Sequence, residues 1–282
     1  MALSIGIFVV PDATDAEATV EQILTADAVG LDVVGVQDHP YQWRFFDTWT
    51  LLAYVAGRTS RVRLVPDVAN LPLRLPSVLA KSAASLDVLS GGRVELGLGA
   101  GAFWDGIEAM GGPRRTPKES VDALEEAIGI IRGFWSGEQS VTVEGEHYRV
   151  KGVHPGPPPA HPIGIWLGAY RPRMLRLTGR LADGWLPSLS ERYMGPDDAP
   201  RMQAVVDEAA RTAGRDPSEI ERALNVGTLA GDAGDWADQL ARIATELRFT
   251  TLFAGVPDED PIGYIRRLGE DVAPRLRELV GP

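Results

Sequence analysis

The chain is 282 residues long, carries a formal charge of −11 and contains no cysteine. That charge works against nonspecific association with nucleic acid or with an anionic membrane surface. The missing cysteine removes disulfides, thiolate nucleophiles and cysteine-ligated metal centres.

The length suffices to bury a full hydrophobic core without covalent staples. No stretch is long and apolar enough to cross a bilayer. The opening MALSIGIFVV has no basic region and soon meets Pro11, Asp12 and Asp15, so it reads as a first strand rather than a signal peptide, and a cytoplasmic protein is expected.

Strand and helix signals then alternate. Residues 5–10 form a buried strand stopped by Pro11, and residues 16–29 a helix ending near Gly30. A second strand covers 32–37. A helix over 46–57 has Asp47 as N-cap and Gly57 as stop. Strand three is 62–66; Pro76 opens a helix to about Leu89; strand four is 94–99. The helix 117–135 carries Val121, Leu124, Ile128 and Ile131 at helical spacing.

VTVEGEHYRV, 141–150, breaks the rhythm as a hairpin turning at Glu144–Gly145, followed by the proline-rich HPGPPPAHP. Strands at 163–168, 184–187, 223–229 and 250–255 then alternate with helices at 171–181, 199–213, 235–247 and 260–279.

Eight short apolar strands, each followed by a helix, predict an α/β fold: a (β/α)8 TIM barrel. The barrel forms one domain over 1–282, with residues 136–162 as a hairpin-bearing insertion before strand five. The rival open doubly wound sheet would carry a GxGxxG turn after strand one, and VVPDATD has none.

In such a barrel the chemistry sits at the C-terminal ends of the strands. Asp38 and His39 follow strand two there, with Tyr41 and Trp43 close behind; Asp67, Val68 and Asn70 follow strand three. Gly99, Ala100, Gly101, Phe103 and Trp104 follow strand four, and Gly168, Ala169 and Arg171 follow strand five.

His39 is suited to carry a proton near neutrality, although a capping Asp38 beside a rim histidine is the plainer structural reading. The glycines would let backbone approach a ligand and hold an anion on N–H groups, with Arg171 or Arg173 assisting. His147, His154 and His161 fall in a helix-to-strand connection on the opposite face, so no histidine-built metal site is expected.

LPLRLPSVLAKSAASLDVLSGGRVELGLGAG (71–101), LGAYRPRMLRLTGRLADGWLPS (167–188) and GLDVVGVQDH (30–39) resemble the bacterial-luciferase-like superfamily of flavin- or deazaflavin-dependent oxidoreductases. The likeness runs over most of the first 190 residues, while the C-terminal third agrees only in its strand–helix rhythm.

The resemblance implies a β/α barrel that binds coenzyme F420 or, alternatively, FMN. The Asp38–His39 pair with Trp43 is similar to the deazaflavin branch. It further implies His39 and Asp38 as catalytic groups, with Asp38 also near the cofactor edge. A non-proline cis peptide at Asp67–Val68 would lie under the ring beside Asn70. Gly99, Ala100, Gly101, Gly168 and Ala169 would hold the phosphate, and Trp43, Phe103 and Trp104 would line a substrate pocket.

Deazaflavin-dependent sugar-phosphate dehydrogenases place a glutamate where this chain has Ala102, so a sugar phosphate is not the expected substrate. The implied function is a coenzyme F420-dependent oxidoreductase moving a hydride to or from a small organic molecule. An FMN-dependent monooxygenase and a non-catalytic cofactor-binding protein are the alternatives. A homodimer is expected through the helix 46–57, whose Trp49, Leu51, Leu52, Tyr54 and Val55 exceed what one barrel layer would cover.

Overall fold

The computed structural model describes residues 3–281. Along the chain lie β1 (Ser4–Val9), α1 (Ala16–Ala28), β2 (Val33–Val36), α2 (Thr48–Ala56), β3 (Arg63–Pro66), β4 (Ala69–Asn70), α3 (Pro76–Ser90) and β5 (Leu96–Gly99). They are followed by α4 (Trp104–Ala109), α5 (Pro117–Trp135), β6 (Val141–Glu144), β7 (Arg149–Val153), β8 (Ile165–Leu167), α6 (Pro172–Leu181) and β9 (Gly184–Trp185). The remainder is α7 (Ala199–Thr212), β10 (Glu221–Gly227), α8 (Ala233–Glu246), β11 (Thr251–Gly255), α9 (Pro261–Arg267) and α10 (Ala273–Val280).

The parallel sheet runs β3-β2-β1-β11-β10-β9-β8-β5-β4. It closes where Leu64 N donates to the Arg93 carbonyl (2.7 Å) and Glu95 N to the Leu64 carbonyl (3.1 Å). β4 prolongs β3 beyond residues 67–68 and pairs with Leu98 and Gly99. The two segments therefore occupy one strand position, and eight positions complete the ring as the alternation of elements predicts. The Asp67–Val68 peptide bond joining them is cis.

The elements follow their local signals. Asp47 caps α2 by accepting from Thr50 N, and α3 starts at Pro76 and ends in left-handed Gly91. Thr116 and Glu119 form a reciprocal capping box at α5.

Four features depart from the sequence reading. The turn after β5 contains α4, too short for its periodicity to register. The hairpin turns over 145–148, where Gly145 N donates to the Tyr148 carbonyl. The closing helix is interrupted by a five-residue π turn, Leu268–Val272. The apolar surplus ascribed to α2 is also largely used: Leu51, Leu52 and Val55 are buried, which leaves Tyr54 outside.

One extended core lies between strands and helices. A separate cluster of Val33, Val65, Trp166, Leu186, Ala223 and Phe253 fills the lumen, with Phe8 and Val68 packed upon it toward the C-terminal strand ends. At the other end, buried Asp87 of α3 accepts from Val94 N (3.2 Å), Ala160 N (2.8 Å) and His161 N (3.1 Å), and pairs with His161 Nδ1 at 2.8 Å. The proline-rich segment is thereby fastened beneath the barrel. His147 N lies against Glu126 and His154 Nδ1 against the Gln139 carbonyl, both in the hairpin region.

The seating of Val68 explains a set of glycines. A Cβ on Gly99 would stand 2.7 Å from Val68 Cγ2 and one on Gly168 3.3 Å from the same atom, whereas one on Gly97 would stand 2.1 Å from the Pro66 carbonyl oxygen. Gly99 and Gly168 are small because one isopropyl group occupies the space above them, and Gly97 because the neighbouring strand's backbone does. Gly99→Ala should therefore lower stability by ~1–3 kcal/mol through overpacking. Val68→Ala combined with it should show a favourable coupling of ~1 kcal/mol or more in a denaturation double-mutant cycle. Additive effects would show that Val68 does not set the requirement for glycine.

Candidate functional site

The C-terminal ends of β2, β3–β4, β5, β8 and β10 converge on one mouth, and the sequence-derived residues arrive there with different tasks. Asp38 is 1% exposed. Its Oδ2 accepts from Asn70 N (2.9 Å) and Arg74 Nε (3.1 Å), and its Oδ1 from Arg74 Nη2 (3.0 Å). The same Arg74 nitrogen reaches Asp47 Oδ2 at 2.8 Å, tying the cap of α2 into the network.

The oxygens of Asp38 are engaged by a two-pronged guanidinium and a backbone amide, and no hydrogen bond joins Asp38 to the His39 imidazole among the described residues. An arginine in LPLRLP carries no local signal of where it points, so the sequence alone does not single out Arg74.

The imidazole has another partner. His39 Nδ1 lies 3.1 Å from Gln37 Nε2. With the amide in that orientation, Nδ1 accepts and Nε2 carries the proton of the neutral ring. Burial pulls the His39 pKa below its ordinary value, against the opposing charge of Asp38. His39 stacks on Tyr41 with centroids 5.4 Å apart, and Tyr41 meets Phe103 edge-on at 5.2 Å. Trp43, expected in the pocket wall, instead stands 86% exposed. Tyr41 takes the place beside the histidine, and Phe103 and Trp104 lie on the rim opposite.

A second group lies deeper. Asp67 is buried; its Oδ1 accepts from Asn225 Nδ2 (3.2 Å), and the same amide donates to Ser188 Oγ (3.1 Å). Ser188 N donates to the Tyr170 hydroxyl (2.8 Å), and Tyr170 stacks on Tyr193. Burial pushes the Asp67 carboxyl up to about 7, with the Asn225 hydrogen bond opposing. Asp67 Oδ2, Asn70 Oδ1 and Asn225 Oδ1 are buried polar atoms with no hydrogen-bond partner among the described residues. Asn225 stands two residues after Ala223 in unbroken register on β10, so strand alternation turns it to the lumen side that Ala223 occupies. Neither Asn225 nor Ser188 was singled out in the sequence, because the C-terminal third offers no motif.

The expected phosphate cradle is only partly available. Gly168 N donates to the Leu98 carbonyl at 3.3 Å, and the side-chain space above Gly99 and Gly168 belongs to Val68. The N–H groups of Ala100, Gly101 and Ala169 make no hydrogen bond among the described residues. Beside them, at the start of α6, a cavity of about 360 Å³ is bordered by Tyr170, Arg171, Arg192 and Tyr193. Arg173 is committed to Asp122 and the Lys118 carbonyl, so of the two arginines considered it is Arg171 that faces this cavity. No group of three or more His, Asp or Glu is placed to hold a metal ion among the described residues.

A closed parallel barrel with its polar groups gathered at the C-terminal strand ends defines a β/α-barrel enzyme. The chain belongs to the luciferase-like monooxygenase family, whose profile spans residues 3–268.

The phthiodiolone/phenolphthiodiolone dimycocerosates ketoreductase of Mycobacterium tuberculosis is 36% identical over 218 residues, which cover 76% of this chain and 55% of that protein. This chain thus spans about half the length of that relative. The F420-dependent glucose-6-phosphate dehydrogenase of Intrasporangium calvum is 31% identical over 320 residues, covering 92% of this chain and 95% of that one.

An F420-dependent secondary alcohol dehydrogenase, solved with an F420–acetone adduct, superposes with a TM-score of 0.88 at 20% identity, over 98% of this chain and 100% of that chain. The oxygenating constituent of 3,6-diketocamphane monooxygenase of Pseudomonas putida, solved with FMN, gives 0.78 at 20% identity, over 97% and 98%. At such identity these two structures establish the fold alone. No helix among the described residues is long and apolar enough to cross a membrane.

Arg74→Met tests the framework directly. It leaves the Asp38 carboxylate buried without its cation, and should cost ~3–5 kcal/mol in chemical denaturation. Asp38→Asn in the same chain should recover part of that loss, because the charge left unpaired is then gone. An Arg74→Met protein as stable as the parent would show that the pair does not hold the mouth together.

Proposed function

We propose that the chain is a coenzyme F420-dependent oxidoreductase that moves a hydride to or from a small organic substrate bearing a carbonyl or alcohol. The observation that carries this reading is the Asp38–His39 pair at the end of β2, with the imidazole half-buried beside the mouth and its pKa lowered by that burial. The relatives named as F420-dependent dehydrogenases support it.

The mouth fits a ring-and-phosphate cofactor. Three orphaned polar atoms lie at the strand ends, and unpartnered N–H groups stand beside an arginine-bordered cavity. Val68 and Asn70 would support the ring. Ala100, Gly101 and Ala169, with Arg171, would hold its phosphate-bearing arm. When bound, the deazaflavin supplies or accepts the hydride.

His39 has its Nδ1 paired with the Gln37 amide, which leaves Nε2 as the nitrogen available to a substrate oxygen. In the oxidising direction the neutral ring, with Nδ1–H turned to the amide oxygen of Gln37, takes the alcohol proton at Nε2; in the reducing direction the imidazolium steadies the oxygen on which negative charge develops and returns that proton. Asp38, locked by Arg74, positions the β2 terminus and keeps a negative charge near the imidazole. Tyr41 and Phe103 give the rim an apolar character, and Ala102 offers no carboxylate to a sugar hydroxyl. The substrate is therefore small and weakly polar rather than a sugar phosphate.

The protein acts as a homodimer in this reading. Tyr54, Leu75, Val78 and Leu89, on α2 and at the ends of α3, are 55%, 63%, 57% and 82% exposed and supply the apolar face.

Fluorescence titration with the deazaflavin coenzyme should give saturable binding. Tight FMN binding with no deazaflavin binding would transfer the chain to flavin monooxygenation. His39→Ala should bind the coenzyme nearly as the parent does, while turnover falls ~10²–10⁴-fold. In the oxidising direction the neutral imidazole is the working form, and its pKa is depressed. The acidic limb of the pH–rate profile should thus lie below the ordinary histidine range and vanish in the variant. An unchanged rate in folded His39→Ala would remove the histidine from the chemistry.

A further inference from the structure

Asp67 is the one buried carboxyl at the mouth that no cation neutralises: Asp38 has Arg74, whereas no ion pair among the described residues includes Asp67. Its surroundings are neutral on every side. From β10 comes the amide of Asn225, and from the segment after β9 the hydroxyl of Ser188, bonded to that amide. β2 contributes Gly35, where a Cβ would stand 2.8 Å from Asp67 Oδ2 and 3.1 Å from the Phe253 ring of β11, so no larger residue fits there.

The titratable group joined to this cluster is Tyr170, whose hydroxyl accepts from Ser188 N; burial raises its pKa, and the charge of Asp67 adds to the effect. An ionised Asp67 would therefore keep Oδ2 as a bare charge between a glycine backbone and an aromatic ring. That arrangement is far costlier than a neutral carboxyl in the same place.

We propose that Asp67 is a protonated carboxylic acid at the base of the ring site, and that its proton decides which ring charge the mouth admits. With the proton in place an anionic ring can settle over residues 67–70; without it the carboxylate repels such a ring. The inference rests on the cofactor reading above and names a specificity-determining residue within it. The deazaflavin ring carries an ionisable phenol, so its anion is the form that this neutral base would accept. Binding the anion would in turn hold the proton on Asp67 more firmly, because like charges close together in a low-dielectric site cannot both persist.

The test uses the intact chain and two readouts. Coenzyme affinity is measured by fluorescence titration from about pH 7 to about pH 9, where the phenol is already ionised and only the protein changes; wild-type affinity should fall roughly tenfold or more, and Asp67→Asn should hold its affinity flat. Asp67→Ser, small and uncharged, should also be flat, and it covers the case in which the asparagine disturbs Asn225.

The second readout is the melting temperature of the ligand-free proteins. A carboxyl whose folded pKa is raised loses stability as pH climbs from the unfolded value, 3.8, through about 7. Asp67→Asn should therefore gain stability relative to wild type at about pH 9 by more than at about pH 5. A wild-type affinity that is flat with pH, a slope that survives in both variants, or a melting difference independent of pH would each overturn the proposal. Absence of deazaflavin binding at every pH would instead overturn the cofactor reading, and the melting comparison would still decide the state of Asp67.

Discussion

The fork between Arg74 and Asp38 is the constraint on which the mouth depends. It joins three places distant in sequence: the end of β2, the backbone of β4 and, through Asp47, the cap of α2. A carboxylate this deeply buried persists only when matched by a guanidinium and a backbone donor. Here all three polar demands meet in one arrangement. The residues that follow Asp38 inherit a fixed starting direction, so Gln37 and His39 face one another and the imidazole lies flat against Tyr41. The aspartate shapes the site through the partners it gathers.

Much of the barrel was legible because parallel strands buried on both faces are short apolar runs, and their helices open and close with local chemistry. Pro76, Thr116 and Gly91 mark boundaries through conformational preferences that need no tertiary partner. The elements misread are those lacking such preferences: a six-residue helix at Trp104–Ala109, and a closing helix whose periodicity runs straight through its π turn.

The site was legible in position and illegible in partnership. Strand ends place Asp38, His39, Asp67 and Asn70 at the mouth from topology alone. Whether a side chain there meets ligand or protein depends on residues arriving from far along the chain. Arg74 lies 36 positions from Asp38, and Asn225 lies 158 from Asp67. The glycines show the same limit. GLGAG has the look of a ligand cradle, yet Gly99, together with Gly168, is shaped around Val68, and Gly97 around the Pro66 carbonyl. Family likeness supplied the cofactor class, and the side-chain geometry then redistributed the tasks among the residues it pointed to.

The fastening of the proline-rich segment by Asp87 has a consequence for how such a chain can diversify. One buried carboxylate gathers two backbone amides and an imidazole of the segment and an amide of the strand entrance, so the end of the barrel remote from the chemistry is locked by a clasp of its own. A share of the molecule's integrity then resides at the pole opposite its reactivity. Loops at the reactive pole can be lengthened, shortened or exchanged without loosening that clasp. The hairpin held beside the clasp is in turn free to acquire new surface without disturbing the mouth. A lineage built this way can explore substrates at one pole and neighbours at the other, each at little expense to the other.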